Sequence, residues 1–182
     1  MRLFVAAELP SACYDALCET SALLRSHVRG RYIGPDLFHV TLAFLGEVPA
    51  MQASEVADLV ERACKEHVPF YTTLGSLGTF GRASSAVLWQ GFAEGRPDWD
   101  VLARDVRQEL RSGGYSIDAK GFIPHVTLMR RADVAHGALP MPCVDGGEVT
   151  TVTVFSSDLS GERPRYEAIR RVSLQENSCS TL

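Results

Sequence analysis

Apolar positions recur along the chain at two periods, and their order divides it into strands and helices. Residues Arg2 to Leu9 read as a strand that Pro10 stops, and Ser11 can cap the helix that follows. Tyr14, Leu17, Leu24 and Val28 share one helical face, and the helix is expected to end near Gly30. A turn at Gly34-Pro35-Asp36 leads into a strand over Leu37 to Leu45. Residues 51–67 form a second helix with Val56, Leu59, Val60 and Ala63 on its apolar side, stopped by Pro69. Phe70 to Phe80 and Ala86 to Phe92 are strands joined by a short turn. Pro97 to Ser112 is a third helix, with Trp99, Leu102, Val106 and Leu110 facing inward and Gly113-Gly114 ending it. Phe122 to Arg130 is a strand, residues 132–146 are mostly loop, and Val149 to Ser156 and Tyr166 to Leu174 are the last strands. The polar stretch 176–182 is expected to fray.

Strands and helices come in mixed order, without the regular alternation of a doubly wound sheet. Within that order one tetrapeptide occurs twice: His-Val-Thr-Leu stands at 39–42 and again at 125–128, each copy in a predicted strand and each in a different half of the chain. The repetition suggests two similar lobes. Side chains alternate along a strand, so His39 and Thr41 point one way while Phe38, Val40, Leu42 and Phe44 point into the core. His125 and Thr127 repeat the arrangement against Val126 and Leu128.

Two imidazoles on rigid elements facing one cleft suit the opening of a cyclic phosphodiester by water. One group takes a proton from the nucleophile, the other gives a proton to the leaving oxygen, and both titrate near neutral pH. Threonine hydroxyls can donate to the non-bridging phosphate oxygens. The scheme needs no metal or other cofactor. A zinc site fits poorly, because threonine is not a usual ligand and no third His, Cys or carboxylate stands at ligand spacing. A lone strand histidine is more often structural than catalytic; the identical His-x-Thr spacing in both copies favours a shared site.

Composition narrows the picture further. With 182 residues, 46% hydrophobic and 22% charged, the chain has globular composition and needs no staples to fold. A net charge of −4 argues against a protein that coats long nucleic acid by bulk charge, but not against one that holds a single RNA end in a local basic cleft. Five cysteines without a C-x-x-C pair argue against a disulfide framework and point to a reducing cytoplasm. The apolar run Leu3 to Ala7 is too short for a signal peptide or a membrane span.

At the paired motifs the sequence resembles the two-histidine (2H) phosphoesterases, and among them the RNA 2′,3′-cyclic phosphodiesterases once called 2′-5′ RNA ligases. The resemblance runs from Arg2-Leu3-Phe4-Val5-Ala6 through Phe38 to Gly46, Gly75 to Phe80, Val87-Leu88-Trp89 and Phe122 to Leu128, and on to Phe155-Ser156-Ser157 and Tyr166. It implies one bilobal α+β domain over 1–182, with antiparallel strands lining a central cleft and helices packed outside. It implies hydrolysis of a terminal 2′,3′-cyclic phosphate on RNA to a 2′-phosphate, with His39 as proton donor to the 3′ oxygen and His125 as proton acceptor from water. The motif strands by themselves are near copies and leave that division open. Expected partners are RNA bearing the cyclic end, such as tRNA fragments, or small nucleotides, acted on by a cytoplasmic monomer without membrane contact. The sequence departs from the family pattern at Ala43, Ala86 and Tyr32, where lysine, arginine and tryptophan are common.

Further candidates carry less chemistry. Arg130 lies five residues after His125, opposite it by strict alternation, and resembles a family phosphate contact; a solvated strand-end arginine is the competing reading. Tyr32 and Phe80 could stack on a base, whereas Trp89 reads as core. Arg25, Arg29 and Arg31 read as a solvated helix end. Two alternatives use the same cleft: 2′-5′ ligation of tRNA halves, with an RNA hydroxyl in place of water, and a non-catalytic module that binds RNA ends.

Overall fold

The computed structural model describes residues 1–118, 121–135, 137–161 and 163–175; the 176–182 tail and His136 lie outside the described residues. The described chain is an α+β fold built on two antiparallel sheets. In the first, the order is β3 (Val40–Glu47), β1 (Arg2–Ala7), β8 (Thr151–Asp158), β9 (Arg165–Ser173). In the second it is β2 (Arg29–Tyr32), β6 (His125–Asp133), β5 (Ala86–Glu94), β4 (Phe70–Phe80), β7 (Gly146–Val149). The sheets do not follow the halves of the chain: β8 and β9 return to join β1, and β2 leaves the N-terminal half to pair with β6.

Three helices complete it: α1 (Ser11–Leu24), α2 (Ala53–Cys64) and α3 (Arg96–Ser112). The periodic faces of α2 and α3 behave as expected, whereas on α1 Tyr14, expected beside Leu17 and Leu24 on the apolar face, is 36% exposed. Trp99, Leu102, Val106 and Leu110 of α3 are fully buried, as are Val56 and Val60 of α2. Leu3, Val5 and Ala7 of β1 join them in the core, and the alternate residues of β1 turn to the other face of the sheet. Each fully buried Leu or Val contributes roughly 1.5–3 kcal/mol relative to exposure.

Several boundaries differ from the expectation. Helix α1 stops at Leu24, and after a turn over residues 25–28 the chain enters the edge strand β2. Gly30 does not end the helix. It lies against Met129 and Ala132 of β6, where a Cβ would collide with the Met129 side chain. Helical periodicity up to Val28 is local, whereas the pairing of β2 with β6 is made across nearly a hundred residues, which no local pattern reports. The strand expected from Val149 is divided: β7 starts at Gly146, the last residue read as loop, and pairs with β4 of the second sheet, while β8 starts at Thr151 in the first. Strand β6 begins at His125 rather than at Phe122.

Candidate active site

The two motif histidines occupy matching settings. Nδ1 of His39 lies 2.7 Å from the Leu37 carbonyl, and Nδ1 of His125 lies 2.7 Å from the Ile123 carbonyl, in each case two residues upstream. A carbonyl only accepts, so Nδ1–H donates and Nε2 is left as the reactive nitrogen of both rings. Nε2 of His39 in turn lies 2.9 Å from the Thr41 hydroxyl, which donates to it. Aromatic walls hold each ring. Phe4 and Tyr166 stand 5.1 and 5.5 Å from His39. Phe80 and Trp89 stand 5.0 and 5.7 Å from His125.

Burial sets the electrostatics. It pushes the His39 imidazole from its ordinary 6.5 down to about 4; the Leu37 bond opposes this, and positive charge on His125 and Arg130 pushes the same way. His125 is also lowered, first by burial, with its bond to Ile123 opposing and the Arg130 charge adding to the fall. Both rings are therefore neutral at pH 7. The two histidines and Arg130 are near enough for their charges to act on one another.

Arg130 reaches this position through an irregularity that strict alternation misses. Between the pairs Leu88↔Met129 and Trp89↔Thr127, β5 advances one residue and β6 two. That bulge puts Leu128 and Met129 both in the core and returns Arg130 to the face of His125 and Thr127. Arg131 follows with φ 53°, a left-handed conformation. The first motif does the same. Between Val5↔Ala43 and Ala6↔Thr41 a bulge buries both Leu42 and Ala43, and Phe44, expected in the core, is 38% exposed.

Other candidates fall in varied places. Phe80 lies beside His125 as described above. Trp89, read as core, is a wall of the same site; its indole N–H has no hydrogen-bond partner among the described residues. Tyr32 is placed elsewhere: its ring carries Arg25 at 4.5 Å and its hydroxyl donates to the Val28 carbonyl at 2.9 Å. Arg29 and Arg31 belong to β2, not to a helix end. Phe4 and Tyr166, which sequence reasoning did not single out for the site, flank His39; the β1–β8–β9 pairing brings them there, and no local signal announces it. Among the described residues no three His, Cys, Asp or Glu side chains gather as a metal site, and no helix is long and apolar enough to cross a membrane.

The sequence profile of the 2′-5′ RNA ligase superfamily matches residues 17–140. The chain is 31% identical to the RNA 2′,3′-cyclic phosphodiesterase of Escherichia coli (strain K12), over 96% of this chain and 97% of that one. It is 33% identical to the Geobacillus stearothermophilus protein of that name over 130 residues, which are 70% of this chain and 41% of the relative. Among solved structures, E. coli LigT complexed with 3′-AMP superposes with a TM-score of 0.81 at 29% identity, covering 96% of this chain and 98% of that one. The Thermus thermophilus protein TT0787 does so with 0.82 at 27%, over 96% and 98%. The chain belongs to the 2′-5′ RNA ligase superfamily and, within it, to the family of RNA 2′,3′-cyclic phosphodiesterases.

Proposed function

We propose that this phosphodiesterase hydrolyses the 2′,3′-cyclic phosphate at an RNA 3′ end to a 2′-phosphomonoester, using two histidines and no metal. One observation carries the reading: two imidazoles in the same setting, each tied at Nδ1 and walled by aromatics, open Nε2 to one cleft. Nε2 of His125 takes a proton from water as the oxygen attacks phosphorus. Nε2–H of His39 gives a proton to the departing 3′ oxygen. The P–O3′ bond breaks as the new P–O bond forms, and the proton count balances.

His39 must be protonated to serve as the acid, yet burial by itself keeps it neutral. The anionic phosphate supplies the missing opposite charge and raises its affinity for a proton. Protonation also ends the acceptor role of Nε2 toward Thr41: Nε2–H points to the departing 3′ oxygen, and the Thr41 hydroxyl donates instead to a phosphate oxygen. Thr127 and the Arg130 guanidinium bind the other side of the phosphate. RNA with a cyclic end, including tRNA fragments, is the substrate class.

A short RNA ending in a 2′,3′-cyclic phosphate, assayed with EDTA present, tests the scheme. The wild type should yield a 2′-phosphate, and His39→Ala and His125→Ala should each lose at least about 10²–10⁴-fold in rate. Full activity in either variant would sink the mechanism; joining of tRNA halves outpacing hydrolysis would assign the cleft to ligation.

A further inference from the structure

The two motif strands are alike beyond the tetrapeptide. Each has a bulge directly after its threonine, so the residue five places after the histidine returns to the cleft side. In β6 that residue is Arg130, and in β3 it is Phe44. The first lobe nonetheless has a guanidinium at that place. Arg2 of β1 lies with its guanidinium carbon 4.8 Å from the Phe44 ring centroid, a cation–π contact.

Arg2 belongs to the cleft face by register. It is two residues from Phe4, whose ring packs on His39, and it pairs across β8 with Ser157, which in turn pairs with Tyr166. Arg2 and Arg130 are also the two cations that act on the Tyr166 phenol. Neither makes an ion pair among the described residues, whereas Arg62, Arg96, Arg104, Arg170 and Arg171 each meet a carboxylate. A partly buried guanidinium on an aromatic ring and without a counter-ion is set up for an incoming anion.

The cyclic phosphate is not that anion. Arg130 bears on both histidines, and Arg2 bears on neither. Two residues of strand advance about 6.7 Å, so Arg2 stands about one nucleotide's length along β1 from Phe4, the ring that packs on His39. Beside it opens a cavity of about 400 Å³, lined by Arg2, Glu47, Ser156, Ser157 and Leu159 among others, with room for a nucleoside. Glu47 there is engaged by the Met1 amine at 3.3 Å, and Asp158, also in the lining, by the Ser160 hydroxyl at 2.6 Å.

We propose that Arg2, carried on Phe44, holds the phosphodiester on the 5′ side of the terminal nucleoside, and that the adjoining cavity takes the preceding nucleotide. The site is thereby a subsite for RNA chains over cyclic mononucleotides. The inference rests on the cyclic phosphodiesterase reading above.

The test compares kcat/KM on a 2′,3′-cyclic mononucleotide with that on a trinucleotide ending in the same cyclic phosphate. The ratio of trinucleotide to mononucleotide should fall about tenfold in Arg2→Gln, through KM, and partly in Phe44→Leu, which keeps the charge but removes its platform. Arg2→Gln should also reduce the slope of log(kcat/KM) against log salt by about 0.7 for the trinucleotide, the loss of one phosphate contact. The double variant Arg62→Gln/Arg104→Gln, on the exposed sides of α2 and α3, should leave the ratio as in the wild type. An unchanged ratio in Arg2→Gln, or an equal fall with the surface variant, overturns the subsite. Equal losses on both substrates would place Arg2 on the reacting phosphate and overturn it as well. Failure of the wild type to open either cyclic phosphate would instead sink the parent reading.

Discussion

Nε2 of His39 and the hydroxyl oxygen of Thr41 lie 2.9 Å apart, and this pair sets the resting hydrogen bonding of the His39 ring. The neutral ring accepts and the hydroxyl donates; protonation of Nε2 frees the hydroxyl to donate elsewhere. Thr41→Val keeps the shape and removes that donor. It should lower kcat by about 10–100-fold with a small change in KM, whereas Thr41→Ser should retain most of the activity. A Thr41→Val enzyme as fast as Thr41→Ser would remove the hydroxyl from the mechanism.

Burial of His39 makes both activity and stability depend on pH. The unfolded chain takes up a proton near 6.5 that the folded ring refuses until about 4. The stability tied to this group is therefore complete above about pH 6.5 and falls as pH drops toward 4, by at most roughly 3 kcal/mol. The stability of the wild type minus that of His39→Gln, from urea unfolding, should fall by up to roughly 3 kcal/mol between about pH 7 and pH 4, because only the wild type has a buried ring to charge; parallel curves would contradict the burial argument. The kcat/KM profile reports the free enzyme and should peak on the acid side of neutrality. The kcat profile, with the phosphate bound, should be displaced to higher pH.

The conformation of Arg131 helps to aim its neighbour. It is the one non-glycine residue with positive φ among the described residues, and it follows the bulge that returns Arg130 to the cleft. Arg131→Gly should keep activity and change stability by no more than about 1 kcal/mol, because glycine takes that conformation freely. Arg131→Ile should lose about 1–2 kcal/mol and most of the activity, as the strand straightens and carries Arg130 away. Thermal unfolding and kcat/KM on the same preparations decide between the two outcomes.

Trp89 is held against His125 by the close passage of β4. A Cβ at Gly78 would collide with the indole, whereas one at Gly121 would meet nothing within 4 Å. Gly78→Ala should cost about 1–3 kcal/mol and reduce kcat, and Gly121→Ala should do neither. Tryptophan fluorescence would register the displaced ring.

Arg107 of α3 joins the backs of both motifs. Its Nε donates to the Leu42 carbonyl at 2.6 Å, and its guanidinium lies 5.2 Å from the Phe122 ring, three residues before His125. Arg107→Met leaves the buried carbonyl short of a donor and should destabilise the protein by about 1–3 kcal/mol. Activity should fall mainly through kcat, since the two histidines lose a common brace; a variant with wild-type stability would show that the bond contributes nothing.

Much of this protein was determined by the sequence alone. The helical faces of α2 and α3, the strands at 2–7 and 40–47, and the two His-x-Thr faces follow from local periodicity, because burial requires apolar residues at the period of the element that carries them. The placement of each histidine beside its threonine was legible for the same reason, since alternation puts His39 with Thr41 and His125 with Thr127. Tertiary structure decided the rest. Strand β2 exists because β6 offers an edge, and no pattern within residues 29–32 foretells it. The bulges at Leu42 and Leu128 reverse the alternation that sequence reading assumes, so they alone bring Arg130 and Phe44 to the cleft. Phe4 and Tyr166 meet His39, and Arg2 meets Phe44, through pairings between the first strand and strands that are distant along the chain. Register across a sheet is a non-local quantity: it is settled when whole strands bury their faces together, and a single strand does not carry it.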